Sequence, residues 1–165
     1  MTTLVKPVMF GQFGYDLMYG GIHSCGSDTF KVGFITNGVT PAFDDPNPTW
    51  GGTGDTDYST YEIDTGGSSY TGPVTLETSG GGAGTQVLEL SSGVPRITAD
   101  IITLAQDATG PANIYGLVGF NYTDTNKRCA FFLNFGAAKS IQDGPLIIRW
   151  NNGSPYIVIQ LPQPA

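Results

Sequence analysis

The sequence predicts an all-β fold, a single β-sandwich or jelly-roll-like domain of about nine short strands, on three observations. The last third, Ile114 to Leu161, holds four apolar runs in two pairs, split by Asn121–Lys127 and by Asn152-Gly153, a two-residue pair that favours a tight hairpin. Glycine (24) and proline (11) punctuate the chain at short intervals, as many short strands require. The short apolar segments between these breaks recur at near-regular spacing, the pattern of a sandwich or jelly roll.

Taken in order, residues 1–11 read as an extended N-terminal arm, with Pro7 and Gly11 opposing helix. The arm carries Leu4, Val5, Val8, Met9 and Phe10, too apolar to stand in water, and is expected to lie across a neighbouring subunit by strand addition. Its removal should then leave the remaining domain, residues 12–161, folded. A short helix is expected over Gln12–Gly20, with Phe13, Leu17 and Met18 near one face. Asp28–Thr36 alternates Phe30, Val32 and Phe34 against Lys31 and Gly33, a half-buried strand.

Asn37–Gly54 contains three prolines, four glycines and two acids, and reads as a long, protruding, partner-contacting loop. Strands follow at Tyr58–Ile63, Val74–Glu77, Gln86–Leu90 and Ile97–Leu104, with Ser79–Gly84 a loop tip. Ile114–Tyr122 is apolar on both faces and belongs in the middle of a sheet. Arg128–Phe135 turns Cys129, Phe131, Leu133 and Phe135 inward, and Leu146–Trp150 turns Leu146, Ile148 and Trp150 inward against Arg149. Tyr156–Leu161 is the last strand, and Pro162–Ala165 a short tail.

Composition narrows function. Charged residues make up 13% of the chain, about half the usual share, so much of the surface is neutral. A net charge of −7 with seven scattered basic residues opposes nucleic-acid binding, which needs clustered Lys and Arg. The charge is uneven: residues 1–113 hold 3 basic and 12 acidic groups (−9), and residues 114–165 hold 4 basic and 2 acidic (+2). Such halves complement each other within the fold, or orient it on a charged partner. The N-terminus lacks a basic start followed by a long apolar run, so neither a secretion signal nor a membrane anchor is expected, and the chain reads as made in a cytoplasm.

Chemistry is sparse. His23 is the only histidine, and Ile22 breaks the Gly-x-Ser-x-Gly pattern around Ser24, so it reads as a turn residue rather than a catalytic base. Glu62, Glu77 and Glu89, with Asp57, Asp64 and Asp100, offer carboxylate pairs of no particular pattern. Asp44-Asp45 and Asp55-Thr-Asp57 carry oxygen ligands, but an EF-hand loop begun at Asp55 has Thr60 and Gly66 where Gly and Glu are needed. Cys25 and Cys129 are too few and too distant for a disulfide framework or zinc site. Gly80–Gly84 lacks the phosphate-loop pattern, and Asn121-Tyr-Thr and Asn152-Gly-Ser read as turn chemistry rather than glycan acceptors. No cofactor or metal is expected. Trp50, Tyr58 and Tyr61 cluster around the long loop; exposed, they would stack on a sugar or anchor a protein partner, and turned inward they would cover the core edge.

The order of several segments carries a resemblance. Tyr15-Asp-Leu-Met-Tyr-Gly-Gly-Ile-His23 is followed by Ser27-Asp-Thr-Phe-Lys-Val-Gly-Phe-Ile35, Gly67-Ser-Ser-Tyr-Thr-Gly72 and Ala99-Asp-Ile-Ile-Thr103. Ala130-Phe-Phe-Leu-Asn-Phe-Gly-Ala-Ala-Lys-Ser140 and Leu146-Ile-Ile-Arg-Trp-Asn-Asn-Gly153 close the series. This order resembles small virion proteins of tailed bacteriophages, including head decoration or cement proteins, over most of residues 12–161; it departs most over Thr40–Thr56. The resemblance implies a non-enzymatic sandwich or jelly-roll subunit on the virion surface. It would bind and stabilise the major capsid protein shell after synthesis in the host cytoplasm, as a homo-oligomer, dimer or trimer, with no nucleic-acid or membrane partner. A neck, tail or fibre position, and a carbohydrate-binding module using Trp50, Tyr58 and Tyr61, are the alternatives.

Overall fold

The computed structural model describes residues 2–65, 69–77, 88–91, 94–150 and 157–160, with side chains over 6–65, 69–77 and 98–150. Its strands in chain order are β1 (Thr2–Val5), β2 (Val8–Met9), β3 (Phe30–Ile35), β4 (Pro48–Thr49), β5 (Thr56–Asp57), β6 (Val74–Thr75), β7 (Leu88–Ser91) and β8 (Val94–Ile97). They continue with β9 (Ile102–Leu104), β10 (Ile114–Asn121), β11 (Cys129–Lys139), β12 (Leu146–Trp150) and β13 (Ile157–Gln160). Helix α1 (Gly11–Tyr15) runs into a π-helical turn, Asp16–Gly20, and a 3-10 turn spans Tyr58–Tyr61.

Nine strands form two antiparallel sheets, ordered β1-β13-β12-β9 and β2-β11-β10-β3-β6. One continuous apolar core joins them, and the rings of Phe131 and Trp150 meet edge to face across it at 6.2 Å, so the domain is an all-β sandwich. Cross-strand register puts Phe34 with Leu117 and Leu117 with Leu133, and Val32 with Gly119 and Gly119 with Phe131, so these residues share the face turned toward the four-stranded sheet.

The central position expected of Ile114–Tyr122 is observed: β10 lies between β11 and β3. The inward set on β11 and β12 also matches, with Cys129, Phe131, Leu133, Phe135, Leu146, Ile148 and Trp150 all buried. The second face of β3 and β10 is covered too, by the segment expected to protrude. Within Asn37–Gly54, β4 pairs in parallel with β5, Trp50 N–H donates to the Lys127 carbonyl at 3.0 Å, and the Trp50 ring stacks on Phe120 at 5.3 Å and 2°. Gly33 makes this possible: a Cβ there would lie 2.1 Å from two atoms of the Trp50 ring. Asp57 pins the return, accepting from the Gly51 and Ser59 amides and capping the 3-10 turn.

Other expectations are corrected. Tyr58–Tyr61 is a 3-10 turn rather than a strand; the three-residue spacing of its tyrosines is the period of that helix. Leu17 and Met18 do not join Phe13 inside. Phe13 and Asp16 are buried, whereas Leu17 is 38% and Met18 76% exposed. The N-terminal segment is not a free arm. β1 pairs with β13 of its own domain and β2 with β11, so residues 2–9 contribute to both sheets. Pro7 lies between them, where its missing amide donor interrupts a ladder. Ile97–Leu104 is divided into β8, which ends at Ile97, and β9; of the strand expected over Gln86–Leu90, Leu88–Leu90 lie in β7 and residues 86–87 lie outside the described residues. Trp150 pairs with Ile157, two places beyond the Pro155 that a tight Asn152-Gly153 turn would set opposite it. That turn, the Gly66-Gly67 turn, all of Ser79–Gly84 and the tail Pro162–Ala165 lie outside the described residues.

Candidate contact surface and the polar cluster behind it

The residues named from sequence as contacts are not brought together. Leu4 and Val5 stand opposite Val158 and Ile157 in the β1–β13 ladder. Val8 is 38% exposed, Met9 is half-buried against the core, and Phe10 is buried among Tyr58 and Phe132. Trp50 and Tyr58 are core residues, 4% and 0% exposed, because the loop carrying them folds back over β3 and β10. They present no face to a sugar or a partner, and the reading of them as contact aromatics is corrected. Tyr61 is half-buried, packed over Gly38.

A different surface collects the exposed aromatics. Phe10 and Phe13 anchor α1 in the core, and Gln12 Nε2 donates to Asp16 Oδ1 at 2.8 Å, holding the following turn with Asp16 inward. Gly21, at φ 55°, closes the turn in the left-handed region. With Asp16 turned in, the neighbouring large side chains are turned out: Tyr15 is 58% exposed, Met18 76% and Tyr19 77%. Tyr15 and Tyr19 stack on each other at 5.2 Å. Phe43, also exposed, lies against Gly11, one turn before Tyr15, so exposed apolar side chains are spread along α1 and the turn after it. The sequence did carry a signal for them. Tyr15, Leu17, Met18 and Tyr19 fall within five residues, and one helical turn cannot direct four large side chains into the core together.

Behind these side chains lies a buried polar cluster. His23 Nε2 faces Asp16 Oδ2 at 3.7 Å, and Arg128 Nε approaches the same oxygen at 3.7 Å. His23 Nδ1 faces Asn121 Nδ2 at 2.9 Å, and that amide also donates to Asp28 Oδ2 at 2.6 Å. Burial pushes the His23 pKa down against the opposing pull of Asp16, Asp124 and Asp28. His23 is therefore a core residue rather than a turn residue. Neither ring nitrogen is turned to a hydroxyl or thiol, and Ser24 Oγ accepts from Ser27 Oγ instead. The Cys25 thiol is pushed up by burial and then by Asp28, which disfavours the nucleophilic thiolate.

Three of the other acids have local partners. Asp45 accepts from the Ala42 amide and the Tyr58 hydroxyl, and Asp55 from Asn47. Burial raises the Glu62 pKa, opposed by a 2.5 Å hydrogen bond from Tyr70 Oη. Among the described residues no three His, Cys, Asp or Glu side chains converge on a common point. A cleft of about 230 Å³ between β6 and β9 is lined by Tyr70, Glu77, Asp100 and Ile102, with Ile101 exposed beside it. Tyr122, half-exposed, carries Lys31 Nζ at 3.8 Å and Lys127 Nζ at 5.9 Å from its ring centre. Among the described residues no helix is long and apolar enough to cross a membrane. Comparison with protein-family models, with curated proteins and with solved structures finds no match to this chain.

Proposed function

We propose that this chain is a structural virion subunit of the decoration type, which binds the assembled shell of major capsid protein in a tailed phage and stabilises it without catalysis. The resemblance of its segment order to such proteins supports the reading. The observation that carries it is the set of Tyr15, Leu17, Met18 and Tyr19, held outward on a turn anchored in a rigid sandwich. Large aromatic and methionine side chains on a pre-organised turn are the residue types that dominate protein interfaces. Many modest contacts of this kind, repeated over a symmetric shell by dimers or trimers, add through multivalency. Of the three aromatics a carbohydrate-binding reading would use, Trp50 and Tyr58 are buried and Tyr61 is half-buried, which favours the decoration reading.

A pelleting assay with assembled heads tests the proposal. Met18→Asp and Tyr19→Asp change side chains exposed by three-quarters, so the fold is retained. Each variant is expected to lower head binding about tenfold or more, about 1.4 kcal/mol. Head binding unchanged in both, or absent in the unmodified protein, overturns the proposal.

A further inference from the structure

We propose that His23 is a proton-operated latch that ties the loop Gly21–Asp28 to the turn joining β10 and β11, and that lets go when its ring takes up a second proton. The hydrogen-bond roles around it leave one assignment. Asn121 Oδ1 accepts from the amides of Thr123 at 2.9 Å and Asp124 at 3.1 Å, so the other end of that side chain is its NH₂ group. The NH₂ donates to Asp28 Oδ2 and to His23 Nδ1, which makes Nδ1 an acceptor and leaves the single ring proton on Nε2, facing Asp16. One neutral imidazole therefore ties the loop to β10 through Nδ1, while Nε2 faces Asp16 Oδ2 of the π-helical turn at 3.7 Å without a hydrogen bond.

A second proton would land on Nδ1, against the Asn121 NH₂. Two donors would then face each other at 2.9 Å in a buried site. Asn121 cannot relieve this by rotating its amide, because its oxygen would leave Thr123 and Asp124 and its NH₂ would leave Asp28. The cost therefore falls on the turn.

The charges facing the ring are Asp16 from the π-helical turn, Asp28 from the loop, and Asp124 and Arg128 from the β10–β11 turn; the Phe13 ring of α1 covers it at 4.7 Å. Three carboxylates would favour an imidazolium, but each already has a partner. Asp16 has Gln12 and Arg128, Asp28 has the Ser24 amide and Asn121, and Asp124 has Arg128. Desolvation of the ring outweighs what remains of their pull.

Linkage fixes the sign. A histidine whose folded pKa lies below 6.5 contributes stability that is full above pH 6.5 and is lost as pH falls toward the folded pKa. One proton can change the unfolding constant by at most about tenfold per pH unit in that window.

The test uses the full chain, in which this is the only histidine. Nitrogen NMR of the ring at neutral pH is expected to show the neutral form protonated at Nε2. On acidification its titration should fall below 6.5, and the amides of Thr123 and Asp124 should shift with the same midpoint. In His23→Gln those amide shifts should vanish from this window, leaving only carboxylate titrations at lower pH. Should that variant fail to fold, the ring and amide titrations of the unmodified protein decide alone. An Nδ1-protonated neutral ring, a titration at or above 6.5, or amides of Thr123 and Asp124 that ignore the ring's midpoint overturns the latch.

Discussion

Replacing Trp50 by alanine separates a core residue from a ligand platform. The side chain is 4% exposed, stacks on Phe120 and fills the space over Gly33. Truncating a buried tryptophan costs about 3–5 kcal/mol, a large part of the ~5–15 kcal/mol that holds a typical domain. For 165 residues, unfolding entropy near the midpoint is about 350 cal/mol/K, so the loss corresponds to a fall of about 10 °C in Tm. Urea unfolding monitored by far-UV circular dichroism, with calorimetry alongside, measures both. Gly33→Ala offers an internal control. Its new Cβ would collide with the Trp50 ring, at an expected cost of about 1–3 kcal/mol, and with Trp50 already removed most of that cost should disappear. A Trp50→Ala penalty below about 1 kcal/mol, or strict additivity in the double variant, would refute the packing of the Asn37–Gly54 segment on β3 and β10.

Two further outcomes follow from the same packing. Deleting residues 2–10 removes β1, β2 and the buried Phe10 ring, so thermal melts of the truncated chain should show no cooperative transition near the parent Tm; an unchanged Tm would restore the free-arm reading. Tyr70→Phe strips the partially buried Glu62 of its hydroxyl donor, at a cost of about 1–2 kcal/mol at pH 7 by urea unfolding. Because burial raises the folded pKa of Glu62, its stability contribution is full below pH 4.5 and is lost as pH rises through the folded pKa. Losing the hydroxyl moves that pKa further up, so the Tyr70→Phe penalty should shrink on acidification toward pH 4; a penalty independent of pH would contradict the role given to this pair.

The closing third was legible because its pattern is local and unambiguous. The β10 run and the first five residues of β11 are buried on both faces and β12 alternates, so position in the sheet followed from residue type. The parts that escaped are those where a distant partner decides. Gly33 looks like the solvent side of a strand until Trp50 covers it from seventeen positions away. The arm is apolar whether it pairs with β13 of its own chain or with a neighbour's edge, and composition cannot distinguish the two. At the contact surface, Asp16 turns inward because Gln12, His23 and Arg128 surround it, and that inversion sends Leu17 and Met18 outward. A helical-face count weighs each residue by its own hydrophobicity and has no means of seeing a buried carboxylate with one hydrogen bond and two basic side chains beside it.

The copy number of this chain in purified virions, by quantitative mass spectrometry against the major capsid protein, tests the decoration reading most directly. A count in fixed proportion to capsid subunits, lost from heads assembled with the Met18→Asp variant, is the predicted result. A handful of copies per particle, or none, would contradict it.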